Sequence, residues 1–249
     1  MNSLILNSPA LREKLQSVNL LRDEVKSTIR GKPAVERKEV MDLILKKWEM
    51  KDRRRIVAGI GGFPASGKTT LAKSISHGIN EFCQADVAIH LPMDGFHFSN
   101  KKLREEGLES IKGDLSTIDV ASYVKTVLSY TQNMDFSLFA PDYSRQVHDV
   151  LENAIEIKPE IHILITEGIY VGYPTAGWEK LKPLLDILFY LDTTPERCAD
   201  MIVARNLEAG RSQERIVQQL EKDLRFMKAS VQILPQADYI VNNEEFNAC

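Results

Sequence analysis

Cysteine is scarce. Cys83, Cys198 and Cys249 are the only three in 249 residues, far apart and outside any CxxC or Cys/His pairing. That excludes a disulfide framework or zinc site of common spacing, and a reducing, cytoplasmic compartment is expected. A basic excess is also missing: 32 Lys and Arg stand against 35 Asp and Glu, giving a formal charge of −3 and a pI near 6.0. Such a balance argues against a general nucleic-acid surface, which needs cations to meet the phosphate backbone. The one basic run, Arg53-Arg54-Arg55, abuts an apolar stretch and reads as a solvated strand entry. No apolar stretch approaches a membrane span, and the first residues lack the basic-then-apolar order of a signal peptide. Neither membrane nor nucleic acid is therefore expected as a partner. No internal repeat or low-complexity tract is found, and the length suits one α/β core with room for a helical extension.

What the chain does have is Gly62-Phe63-Pro64-Ala65-Ser66-Gly67-Lys68-Thr69, followed by Thr70, after the apolar run Ile56 to Ile60. This is the GxxxxGK[ST] phosphate-binding pattern between a strand and a helix. Glycines let main-chain N–H groups curl around phosphate oxygens, Lys68 reaches the β- and γ-phosphates, and Thr69 offers a hydroxyl to Mg²⁺. An amphipathic run through Leu71, Ile75, Ile79 and Phe82 predicts a helix whose positive end faces the same anion.

The rest alternates strand and helix. Short apolar strands are expected at Val87 to Leu91, Ile161 to Ile165, Ile187 to Leu191 and Tyr239 to Val241. Helices are expected at Asp119 to Tyr130, from Pro195, and over Gln213 to Ser230. Apolar rather than alternating strands imply a mainly parallel sheet covered on both faces, a three-layer α/β/α fold of the P-loop NTPase type with ligands at the carboxyl ends of its strands. Before it, residues 1–50 read as a helical extension to the phosphate-loop domain at 51–249, with Leu11, Leu15, Leu20 and Val25 on one helix and Val40, Leu43, Ile44 and Trp48 on another. Gly31-Lys32-Pro33 separates the two, so a hairpin packed beside the core is expected; a homodimerisation arm is the other reading.

Four more segments carry candidate chemistry. Leu91-Pro92-Met93-Asp94-Gly95-Phe96-His97 sits where a strand ends, so Asp94 can accept a hydroxyl proton or hold the metal's water shell, with His97 nearby. Phe139 to Asp149 reads as a substrate-recognition loop in which Arg145 and His148 bind an anionic or hydroxylated acceptor and Tyr143 offers a flat face. Arg145 pairing with Asp149 at i+4 is the structural alternative. Glu167, ending an apolar strand, is the natural carboxylate for the metal. Arg197, Arg205 and Arg211 lie on a helix and its following turn, of which Arg205 and Arg211 are the candidates for a lid that closes on the phosphates.

Together these segments, over about Ile56 to Asn243, resemble the phosphoribulokinase, uridine kinase and pantothenate kinase group of P-loop kinases. The Leu-Pro-Met-Asp-Gly-Phe-His and Asp-Tyr-Ser-Arg-x-x-His-Asp stretches are most similar to its bacterial fructose-transport-associated, sugar or nucleoside kinase branch. The resemblance implies ATP and Mg²⁺ as cofactors, a base at Asp94, phosphates on Gly67, Lys68 and Thr69, and an adenine beside Ala237 to Asn243. A γ-phosphoryl transfer to the hydroxyl of a sugar, sugar acid, nucleoside or pantothenate-like acceptor is the expected reaction. Pro141-Asp142-Tyr143-Ser144 departs from the Pro-x-Tyr-Asp order of uridine kinases, and Arg145 replaces a histidine of the pantothenate kinase loop. The alternative is a nucleotide-dependent switch or assembly NTPase acting on a protein partner; the Asn-Lys-x-Asp guanine reader of GTP switches is not found.

Overall fold

The computed structural model describes residues 9–132 and 135–243. In chain order the elements are α1 (Pro9–Ile29), β1 (Ala34–Glu36), α2 (Val40–Met50), β2 (Ile56–Gly62), α3 (Lys68–Cys83), β3 (Ala88–Pro92), α4 (Asn100–Glu105) and α5 (Val120–Thr131). There follow β4 (Leu138–Ser144), β5 (Asp149–Ile157), β6 (Ile163–Glu167), β7 (Ile187–Asp192), α6 (Pro195–Glu208), α7 (Gln213–Val231) and β8 (Tyr239–Asn242). Six strands form one parallel sheet in the order β1-β8-β7-β2-β6-β3.

Strands buried on both faces divide their side chains by alternation, and β2 shows how. Ile56, Ala58 and Ile60 pack with α2 and α3 on one face. Val57 points to the other, where it joins a core containing side chains of α1, α5, α6 and α7. On that second face Gly59 and Gly61 leave space filled by Val171, Leu188 and Ile233. The expected strands agree with β2, β3, β6, β7 and β8 to within about two residues, the usual uncertainty of boundaries.

The N-terminal helices do not form the expected hairpin. Val18, Leu21 and Val25 of α1 belong to the core shared with α6 and α7, whereas Val40, Ile44 and Trp48 of α2 belong to the core on the opposite face. Between them β1 pairs in parallel with β8 and completes the sheet edge. Helical periodicity reveals which stripe is buried and nothing about which face of the sheet receives it. The side chains of Leu11 and Leu15 lie outside the described residues.

The segment from Phe139 to Asp149, expected as a loop, is largely strand. It is the turn end of an antiparallel β4–β5 hairpin, with a register shift between Ala140 and Asp142 around Pro141. Pro, Asp and Ser interrupt its apolar pattern, which hides a strand of this kind from a periodicity reading.

Candidate active site

Parallel strands deliver their carboxyl ends to one edge, and five loops meet there. The phosphate loop follows β2, Asp94 follows β3, Glu167 ends β6, Thr193 follows β7 and Asn243 follows β8. Glu167 is in register with both Ile60 and Pro92, so its carboxylate lies between the phosphate loop and the Asp94 turn. Beneath them Tyr123 hydrogen-bonds the Thr166 hydroxyl, which donates to the Leu91 carbonyl at 2.7 Å and clamps β6 to β3. A buried bond of this kind contributes about 1 kcal/mol net, and an orphaned partner costs about 1–3.

The phosphate loop has Gly67 at φ 90° in the residue before α3, a left-handed conformation that a side chain disfavours. Lys68 is buried, its Nζ donating to the Phe63 carbonyl at 2.5 Å and lying 3.4 Å from Ser66 Oγ. Burial pushes its ammonium below the usual lysine range, although Glu167 and Asp94 pull the other way. The Thr69 hydroxyl donates to Glu167 Oε1 at 2.9 Å, and His90 Nε2 lies 3.3 Å from the same oxygen. Burial raises the Glu167 carboxyl, but the His90 hydrogen bond, Lys68 and Thr69 outweigh it and hold the group below the usual range.

Asp94 is half exposed and opens onto the same cleft of about 1070 Å³. His97 Nδ1 bonds the Asp94 carbonyl at 2.8 Å and stays 4.0 Å from its carboxylate, which leaves the acid available. The His97 ring lies 5.6 Å from that of Tyr143, whose hydroxyl is held above the usual range by burial and by the charges of Asp94 and Asp149. Gly95 permits this corner: a Cβ there would clash with the Pro141 carbonyl.

The cleft brings together Pro64, Ala65, Ser66, Gly67, Lys68, Thr69, Thr70, Asp94, His97, Tyr143, Arg145, Glu167 and Arg205 from the residues singled out in the sequence. Four others are elsewhere. Phe63 is buried edge-on to Tyr190, and Gly62 lies against the Leu191 carbonyl. His148 is exposed in the hairpin turn at φ 53°, and its carbonyl, not its ring, accepts from Asn100 and Lys112. Arg211 faces a different hollow and donates to Asn206 Oδ1 at 2.8 Å. Arg145 does not pair with Asp149, whose Oδ1 is taken by the amides of Asn100 and Val150.

Beyond the place beside the adenine that the resemblance implies for it, Asn243 holds the phosphate loop, and Asp223 joins the cleft as well. Asn243 Nδ2 donates to the Ser66 carbonyl at 3.1 Å and to Thr193 Oγ1 at 2.7 Å, while Arg37 Nη1 donates to Asn243 Oδ1 at 2.6 Å. The segment after β1 is thereby tied to the phosphate loop. Asp223, on the buried face of α7, opens into the cleft and accepts from Gln219 at 3.0 Å. Its signal was a carboxylate among Leu220, Leu224 and Met227 at helical core spacing.

Burial pushes the Asp223 carboxyl from 3.8 up to about 6, despite the Gln219 bond and the charges of Lys222, Arg205 and Arg211. The folded protein thus holds this proton more tightly than the unfolded chain. Its contribution to stability is therefore greatest at low pH and declines as pH rises through about 4 to 6. Asp223→Asn is expected to gain stability relative to wild type, on the order of 3 kcal/mol, between about pH 4 and pH 7. Denaturant unfolding of both proteins at the two pH values checks this, and parallel curves would contradict it.

Thr69 Oγ1 and the Glu167 carboxylate suit a hard divalent cation, which prefers oxygen ligands. Among the described residues there is no group of three or more His, Cys, Asp or Glu that could hold a metal. Two protein oxygens fit an ion that completes its shell with phosphate oxygens and water, as Mg²⁺ does.

The sequence matches the Phosphoribulokinase / Uridine kinase family over residues 57–243. It is 28% identical over 165 residues to the "Putative uridine kinase C227.14" of Schizosaccharomyces pombe, covering 65% of this chain and 70% of that protein. It is 28% identical over 140 residues to a pantothenate kinase of Latilactobacillus sakei, covering 56% of this chain and only 45% of that protein. In structure it is similar to a "putative fructose transport system kinase" from Silicibacter sp. TM1040, with a TM-score of 0.73 at 23% identity over 83% of this chain and 99% of the other. Motif, fold and site edge agree with the match: the chain belongs to the phosphoribulokinase/uridine kinase family of small-molecule kinases.

Proposed function

We propose that this protein transfers the γ-phosphoryl group of ATP, with Mg²⁺, to a hydroxyl of a small acceptor. The observation that carries the reading is Asp94, an available carboxylate in the cleft of the phosphate loop, near enough for its charge to act on Lys68. The loop amides and Lys68 hold the phosphates, and Thr69 and Glu167 hold the metal. A cation held there would offset the negative charge of the phosphates. Arg205 lies at the cleft and meets negative charge developing on the transferred group. Asp94 orients the acceptor hydroxyl and takes its proton as the oxygen attacks phosphorus.

The acceptor end of the cleft is formed by His97, Tyr143 and Arg145. Arg145 is exposed and, among the described residues, has no carboxylate partner, which favours an acceptor carrying a carboxylate or phosphate, such as a sugar acid or a pantothenate-like acid. The test is ADP release from ATP with sugars, sugar acids, nucleosides and pantothenate, followed by mass spectrometry for the addition of one phosphate. Acceptor-stimulated release with that mass gain is the expected result. Release stimulated only by a protein partner would overturn the proposal in favour of a nucleotide switch.

A further inference from the structure

Outside the catalytic cleft a second hollow, of about 740 Å³, runs along the outer face of α7 and is closed by Ser17 of α1 and by Ser110. Among the described residues its wall carries Arg211, Arg215, Lys222, Arg225 and Lys228 and one acid, Glu221. In a chain whose formal charge is −3, five cations on one concave strip are a local concentration. Among the described residues Arg215, Arg225 and Lys228 take part in no ion pair. Burial lowers the Lys222 ammonium, with Arg225 and Lys112 adding to the effect and Asp223 and Asp114 opposing it. Cations crowded in this way repel one another until an anion enters. From Arg215 to Lys228 the strip is about 20 Å long at the helical rise, more than a single phosphate can touch.

We propose that this hollow is a second ligand site, for a small anion bearing at least two phosphate groups, and that its occupancy is felt in the catalytic cleft. The link is one hydrogen bond. Gln219 lines the hollow, and its Nε2 donates at 3.0 Å to Asp223, which lines the cleft. An anion that draws Gln219 outward withdraws that donor from Asp223 and alters the charge at the cleft wall. The binding claim is independent of the kinase reading; the coupling claim rests on it.

The experiment is calorimetric titration with inorganic pyrophosphate while a non-hydrolysable ATP analogue and excess Mg²⁺ fill the cleft. One equivalent is expected to bind, with affinity at least about tenfold weaker in Arg215→Glu/Arg225→Glu and largely restored in the corresponding double Lys variant. Arg215→Gln/Arg225→Gln serves if charge reversal disturbs folding. Unchanged affinity in these variants, or competition with the analogue, would overturn the site. Tighter binding of a short single-stranded RNA than of pyrophosphate would assign the strip to nucleic acid instead. For the coupling, pyrophosphate is expected to shift the acceptor KM at least about twofold in wild type and not in the charge-reversed variant. No shift in an active enzyme removes the coupling, whereas no ADP release even without pyrophosphate points to failure of the kinase reading.

Discussion

Asp94→Asn is expected to lower turnover by about 10²–10⁴-fold while leaving affinity for an ATP analogue nearly unchanged. The substitution keeps the shape of the side chain and removes its ability to take a proton. The turn itself is held by main-chain contacts: His97 bonds the Asp94 carbonyl, and Gly95 lies against the Pro141 carbonyl. Neither depends on the carboxylate, so loss of activity through unfolding is not the expected route. Steady-state kcat with a competent acceptor, beside equilibrium titration of the analogue, makes the measurement. Turnover within a fewfold of wild type would remove Asp94 from the proposed chemistry.

Lys68→Ala should act differently, weakening both nucleotide affinity and turnover, the latter by about 10²–10³-fold if Lys68 behaves as a typical stabiliser of transition-state charge. Its ammonium donates to the Phe63 carbonyl at 2.5 Å, in a buried position where a cation is disfavoured. An incoming phosphate offers that cation a better partner than a carbonyl, which is why binding and rate share the effect. Removing Lys68 also removes one of the influences that keep the buried Glu167 ionised, so the metal side of the site suffers as well. Titration of the ATP analogue at several Mg²⁺ concentrations checks both parts, and wild-type affinity would contradict the role given to Lys68. The contrast between the variants separates a proton acceptor from a phosphate holder.

How far the sequence reached depended on how strongly each residue's surroundings are dictated locally. Strands β2, β6 and β7 are enclosed on both faces, which demands unbroken apolar runs, and such runs are visible without any neighbour. The phosphate loop was legible because few backbone shapes can cradle phosphate and glycine marks them. Partnerships across the chain were not legible. Nothing local says that Ala34 to Glu36 pairs with β8, or that Arg37 reaches Asn243. Arg205 and Arg211 looked equivalent, yet Arg205 opens onto the cleft and Arg211 onto the opposite side of α7. The residue type of His148 suggests a ligand, whereas its left-handed backbone makes it a turn residue. Asp223 carries little local signal, because a polar residue within a helix is ordinarily solvent-facing.

The pairing of β1 with β8 bears on how this protein is handled. A shortened version starting at Val40 would keep the phosphate loop and every side chain that lines the cleft. It would also strip β8 of its outermost neighbour, baring main-chain donors and acceptors that can recruit a foreign strand and seed clumping. The same cut discards Arg37, and with it one anchor of the amide that steadies Ser66. Trimming to the kinase-like portion would thus loosen the grip on nucleotide from a distance.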